Sequence, residues 1–199
     1  MIGRLPPAVR RHLAAVRVLL VATVVLGLAY PLAITGIAQA AAGNRANGSL
    51  LTRDGVVVGS RLIGQPFADA EGNPLPQWFQ PRPSASGYNG KASGATNLGP
   101  DNPKLVTAIR QRRAQIAAFE GVSPAAVPPD AVTASGSGLD PDISPAYALL
   151  QAARVARVRG LDPAAVRALV HAHTTGRGLG FLGEPTVNVL ELNLALAQI

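Results

Sequence analysis

The chain contains no cysteine, which excludes disulfides, thiolate metal sites and cysteine nucleophiles while being compatible with either side of a membrane. Its only lysines are Lys91 and Lys104. Neither follows the glycine pattern of a GxxxxGK[ST] phosphate loop, so the chain is not expected to hydrolyse nucleotide by itself. Aromatic residues are scarce, with four Phe, three Tyr and one Trp among 199 residues, while Gly (21) and Pro (17) are plentiful. Such a composition predicts a modest core with long ordered loops. Positive charge is unevenly placed: four arginines fall in the first 17 residues, leaving 14 Lys and Arg against 11 Asp and Glu in the rest. That mild excess makes nucleic-acid binding a poor explanation of the high pI.

Charge is absent altogether from Val18 to Ala42, a run of 25 residues. As a helix it would measure about 37 Å, enough to cross a hydrocarbon core of about 30 Å with some tilt. It is therefore read as a single-pass transmembrane helix, between a basic tail at 1–17 and a body at 43–199. Arg4, Arg10, Arg11 and Arg17 precede the run with no acidic residue among them. The positive-inside bias then keeps the tail cytoplasmic and puts the body outside. The rival reading is a cleaved export signal ending near Ala38-Gln39-Ala40, which would release a hydrolase or binding protein; its usual apolar core of about 7 to 15 residues is much shorter than this run. Ala29, Ala33, Gly36 and Ala40, with Ala22 before them, fall on one helical face and allow another transmembrane helix to approach closely, with Thr35 and Gln39 available for polar contacts. Pro31 predicts a kink.

In the body, Gly43 to Gly48 reads as a short connector. The runs Leu50-Leu51, Val56 to Val58 and Leu62-Ile63, separated by Asp54-Gly55 and Gly59-Ser60, predict a small strand and turn unit, weakly continued by Trp78-Phe79. The stretch 80–102 is dense in Gly, Pro, Ser and Asn. It is either disordered or a functional loop fixed by its own contacts, and Trp78, Phe79, Tyr88 and Leu98 argue for packing. A helix is expected from Asn102-Pro103 to Gly121, with Leu105, Ile109, Ile116 and Phe119 on one side and Arg110, Arg112 and Arg113 on a solvated face. Ala131 to Ala134 reads as a strand. Further helices are announced by Ser144-Pro145, ending at Gly160 with Arg154, Arg157 and Arg159 complementing its dipole, and by Asp162-Pro163. Asn188 and Glu191 have capping-box spacing for a terminal helix, although Leu190, Leu192, Leu194 and Leu196 also alternate like a strand. The fold class is thus one N-terminal transmembrane α-helix followed by an α+β extracytoplasmic domain.

No catalytic constellation emerges. Gly178 to Gly183 fits GxGxxG letter for letter, but Glu184-Pro185 interrupts the helix that a dinucleotide site requires. Ser135 to Gly138 lacks the glycine of a nucleophile elbow and reads as a tight polar turn. His171 and His173 are two apart and give no helical metal pair. Asp130, Asp140, Asp142 and Asp162 sit beside Pro or Gly in turn and cap settings.

The segments PRPSASGYNGKASGATNLGPDNP at 81–103, PPDAVTASGSGLDPDISPAYALLQAARVARVRG at 128–160 and HTTGRGLGFLGEPTVNVLELNLAL at 173–196 resemble, in order and spacing, the C subunits of Kdp potassium-transporting ATPases. Thr186 and Asp142 stand where that family usually carries Arg and His, and Ala95-Thr96 where Gly-Ser is usual. The resemblance implies an accessory subunit of a bacterial inner-membrane complex. Its partners would be a channel-like subunit that passes potassium and a P-type subunit that hydrolyses ATP, with membrane lipid around the anchor and no nucleic acid. It also implies a catalytic chaperone that raises the ATP affinity of the hydrolysing subunit, with Gln151 as a nucleotide contact and no tightly bound cofactor. Because the charge bias puts Gln151 on the side opposite ATP, coupling through the membrane helix or subunit packing is the preferred version.

Overall fold

The computed structural model describes residues 6–199; Arg4 lies outside the described residues. The chain forms two units divided after Ser49. The first is a helical rod, Pro7–Ala46, built from α1 (Pro7–Ala22), a π-helical stretch (Thr23–Ala29) and α2 (Tyr30–Ala46). Its 40 residues are long and apolar enough to cross a membrane. Pro31 explains the π-helical stretch before it: a proline cannot donate to the ladder and its ring crowds the carbonyl four residues back. The chain widens there instead, with the Tyr30 N–H reaching the Val25 carbonyl, a common local answer in helices. Ala33, Gly36 and Ala40 keep α-helical spacing beyond that stretch and Ala29 is its last residue, whereas Ala22 lies before it and loses the register that a uniform helix would give. Residues 43–46 continue the helix rather than forming a connector. A break does occur at Ala42, whose φ of −151° and ψ of 47° are non-helical. The amides of Gln39 and Asn47 bracket it by bonding each other reciprocally at 3.0 and 3.1 Å.

The second unit, Leu50–Ile199, opens with the hairpin β1 (Leu50–Arg53) and β2 (Val56–Ser60), closed by Asp54-Gly55 as the sequence predicts. A helix α3 (Pro103–Glu120) follows, capped by Asn102 at its start and by left-handed Gly121 at its end. Arg110 and Arg113 are exposed as expected, while Arg112 folds back to donate to the Val132 carbonyl at 3.2 Å. The strand expected at 131–134 is absent: Pro129–Val132 makes one helical turn, α4, and buries Ala131 and Val132 against the core. Pro129 in the first turn favours that geometry over extended pairing. Trp78-Phe79 forms no strand either.

Next come β3 (Asp142–Ile143), α5 (Pro145–Arg159), α6 (Pro163–Ala172), β4 (Thr174–Thr175), β5 (Thr186–Asn188) and α7 (Val189–Leu196). The strands form a small antiparallel sheet in the order β3-β5-β4, with Ile143 opposite Val187 and Thr174 also opposite Val187. Asn188 caps α7 by accepting from the Glu191 N–H at 3.1 Å, which decides the helix over the alternating-leucine strand. The core is as light in aromatics as composition predicts. Phe79 and Tyr147 sit among Ala148, Ala152, Val155, Val166, Val170, Leu192 and Leu196.

Candidate functional site

Most of the buried polar side chains of this unit converge on the short segment Pro76 to Gln80. Gln151 on α5 is fully buried. Its Oε1 accepts from the Gln80 N–H at 2.7 Å and its Nε2 donates to the Gln80 carbonyl at 3.0 Å. Asn193 on α7 treats Phe79 the same way, accepting from its N–H and donating to its carbonyl, both at 2.9 Å. The backbone N–H and carbonyl groups of two consecutive residues that belong to no strand are thus paired by side-chain amides. This solves the problem of a buried loop, because backbone polar groups removed from water need partners.

Arg154, one helical turn from Gln151, completes the arrangement. Its Nη1 donates to the Pro76 carbonyl and, at 3.1 Å, to that of Trp78; Nη2 donates to Gln151 Oε1 at 3.0 Å; and Nε pairs with Glu120 Oε2 at 3.0 Å. The guanidinium also lies 4.5 Å from the centroid of Phe119. Arg154 is therefore not a dipole-complementing surface residue as its place near the end of α5 suggested. Arg157 and Arg159 hold that place. Burial pushes the Glu120 carboxyl up from its usual range, against the opposing hydrogen bond from Arg154. The other Glu120 oxygen has no partner among the described residues.

Beyond Gln80 the loop is ordered and latched onto the Ser135–Gly138 turn. Ser84 and Ser86 both donate to the Gly138 carbonyl, at 2.6 and 3.1 Å. The Gly94 N–H and the Ser93 hydroxyl meet the Ser137 carbonyl at 2.8 and 2.9 Å. Arg82 pairs with Asp140 at 2.8 Å and donates to the Thr133 carbonyl, and the Tyr88 hydroxyl donates to the Arg82 carbonyl at 2.7 Å. Gly138 has φ of +69°, and a Cβ there would lie 2.5 Å from the Ser86 hydroxyl oxygen. The polar turn read from SGSG is thus the receptor of the loop. The GxGxxG match falls in an exposed loop between β4 and β5, and His173 bonds the Leu169 carbonyl through Nδ1. Among the described residues no group of three or more His, Cys, Asp or Glu could hold a metal ion. Asp142 and Thr186 meet across β3 and β5. Burial and the Asp140 charge push the Asp142 carboxyl up, opposed by hydrogen bonds from Asn188 and Thr186.

The segments that make this strap and latch lie within the stretch that matches the family model for the K+-transporting ATPase c chain, KdpC, which spans residues 12–198. The chain belongs to the KdpC family. The potassium-transporting ATPase KdpC subunit of Kineococcus radiotolerans is 58% identical over 180 residues, covering 89% of this chain and 88% of that one. The KdpC subunit of Mycobacterium tuberculosis is 50% identical over 196 residues, covering 96% and 99% of the two chains. KdpC chains are accessory subunits of a transport ATPase and not its hydrolysing chain, in keeping with a site whose polar groups are spent on its own backbone. Sequence reasoning singled out Gln151 but missed Arg154, Asn193 and Glu120. In the sequence Gln151 and Arg154 share only an i, i+3 spacing on α5, and nothing local marks that face as the buried one.

Proposed function

We propose that this chain is the membrane-anchored assembly subunit of a potassium-importing ATPase. In this reading its tail is cytoplasmic and its body extracytoplasmic, and it raises the ATP affinity of the hydrolysing subunit without touching nucleotide. The observation that carries the indirect role is the state of Gln151: zero exposure, with both carbonyl lone pairs and one amide hydrogen engaged by Gln80 and Arg154. A nucleotide contact would have to break the strap that the residue holds. Gln151 acts as a positioning residue for residues 76–80, and coupling passes through the anchor, whose Ala29, Ala33, Gly36 and Ala40 face receives a partner helix. The channel-like and hydrolysing subunits of the complex are the partners.

Two measurements test this. An azido-ATP probe on the intact complex should label the hydrolysing subunit and leave this chain unlabelled; label on the peptide containing Gln151 would overturn indirect coupling. In the naturally cysteine-free chain, Ala168→Cys on the exposed face of α6 should react with an impermeant maleimide in intact cells. Reaction only after permeabilisation would reverse the orientation.

A further inference from the structure

The dipeptide Asn-Gly occurs twice in the chain, at Asn47-Gly48 and Asn89-Gly90, and both asparagines are exposed. In such a pair the backbone nitrogen of the second residue can attack the side-chain carboxamide of the first, because glycine has no Cβ to block the approach and leaves the backbone free to make it. Composition and exposure are alike at the two sites, but the hydrogen bonds that hold them differ. We propose that Asn89 is a site of spontaneous deamidation, with the Gly90 nitrogen as nucleophile and water as co-reactant, and that Asn47 is protected from the same reaction by its contacts.

At Asn89 the reacting groups are free. The Gly90 N–H has no hydrogen-bond partner among the described residues, although its neighbours do: the Asn89 N–H donates to the Ser86 carbonyl at 3.2 Å and the Ala92 N–H to the Asn89 carbonyl at 2.9 Å. Asn89 Oδ1 accepts from the Lys91 N–H at 3.0 Å, an Asx turn. The ring closed by that bond contains both the Asn89 Cγ and the Gly90 nitrogen, so the carboxamide is folded back towards its nucleophile. A donor on Oδ1 also stabilises the charge that develops on this oxygen during attack. The leaving nitrogen, Nδ2, makes no hydrogen bond among the described residues. At Asn47 every one of these groups is held. The Gly48 N–H donates to the Arg45 carbonyl at 3.1 Å, Asn47 Nδ2 donates to the Gly43 carbonyl at 2.7 Å and to Gln39 Oε1 at 3.1 Å, and its Oδ1 accepts from Gln39 Nε2 at 3.0 Å.

The step involves no oxidation or reduction. The Gly90 nitrogen bonds to the Asn89 Cγ and gives up its proton, Nδ2 departs as ammonia, and a cyclic imide is left. Water then opens the imide at either carbonyl to give aspartate or isoaspartate. Either product puts a negative charge in the loop beside Lys91, and isoaspartate also inserts a methylene into the backbone between Tyr88 and Gly90. Both flanks of that point are fastened: Tyr88 through its N–H to Ser84 Oγ at 3.0 Å and its hydroxyl to the Arg82 carbonyl, and Gly94 through its N–H to the Ser137 carbonyl. A longer backbone does not fit between fixed ends, so the loop loosens from the Ser135–Gly138 turn as isoaspartate accumulates.

The proposal is independent of the role argued above. It is tested on the full-length chain, purified in detergent and incubated in mildly alkaline buffer made with heavy-oxygen water, with amide loss located by peptide mass spectrometry and isoaspartate reported by an isoaspartyl methyltransferase. Asn89 should convert at least about tenfold faster than Asn47, the factor that one hydrogen bond of restraint is worth, and isoaspartate should be among its products. Equal rates at the two sites, or aspartate as the sole product at Asn89, would overturn it. Once the chain is digested to peptides the two sites should react alike; an Asn47 that stays inert there would show that the fold does not protect it. A Cβ at Gly90 meets nothing within 4 Å, and its φ is outside the left-handed region, so Gly90→Val should melt as the parent does. With a stiff β-branched side chain beside the attacking nitrogen, deamidation at Asn89 should slow by about tenfold or more. The parental rate in that variant would refute the Gly90 nitrogen as nucleophile.

Discussion

Replacing Gln151 by leucine keeps the side chain close to its original volume but removes every hydrogen bond it makes. The Gln80 N–H and carbonyl lose their partners, and the Arg154 Nη2 loses an acceptor. A buried polar group left unpaired costs about 1–3 kcal/mol. Gln80 is only half-buried, so water serves it in part, and about 1 kcal/mol for each of its two groups is appropriate. The Arg154 donor is charged and buried, which adds about 1–2 kcal/mol. The sum, about 3–4 kcal/mol, is a large share of the 5–15 kcal/mol typical of a whole domain. For a body of this size it corresponds to a melting shift of roughly 10 °C. Thermal and denaturant unfolding of the purified chain in detergent would read it. A melt within about 2 °C of the parent would refute the strap's energetic role. On the functional side, the variant complex assayed well below its melting temperature should show an ATP KM that tracks occupancy by this subunit. A raised KM at full occupancy and unchanged melting would restore direct nucleotide contact.

Arg154→Met should cost about 3–5 kcal/mol at pH 8, because it strands Glu120 as a buried unpaired charge. Removing the arginine deletes the interaction that lowers the Glu120 carboxyl, so the folded state holds its proton to still higher pH than the unfolded chain does. The deficit is therefore greatest above the folded-state pKa and shrinks as pH falls through it towards the ordinary glutamate value; denaturant midpoints at pH 8 and pH 5 that move in parallel with those of the parent would contradict this. Gly138→Ala should cost about 2–4 kcal/mol from left-handed strain and the clash with Ser86, and limited proteolysis should cut the 84–94 loop faster in the variant than in the parent. An added Cβ at Gly36 meets nothing within 4 Å, so Gly36→Leu should leave helicity and melting unchanged while partner subunits are lost on purification; normal retention would remove this face from the helix-packing role.

Elements announced by local chemistry were legible in the sequence. Asn102-Pro103, Ser144-Pro145, Asp162-Pro163 and Asn188 each cap the helix they foreshadow, because a cap is settled within three residues of itself. The hairpin at Asp54-Gly55 was legible for the same reason. Ala131 to Ala134 misled because β propensity says little when a preceding proline and a core contact favour a helical turn. The strap was invisible for a different reason. A glutamine or arginine on an Ala-rich helix looks like any solvated polar residue, and only tertiary packing sets Gln151 and Arg154 against a loop more than 70 positions earlier. The loop's order was equally hidden, since its hydrogen-bond partners lie in the Ser135–Gly138 turn some 50 residues on.

The pairing of Phe79 with Asn193 spans 114 positions, and this has a consequence for how the body is made. During synthesis the strap segment emerges long before α7 exists. Until that helix is released the Phe79 peptide has no partner, and the ring that fills the core has no fixed seat. Domain closure therefore waits for α7, and long-range contacts of this kind slow folding. A chain stalled or clipped a few residues before Asn193 would be anchored yet unfinished, with the core aromatic and its unpaired backbone exposed together to quality-control proteases.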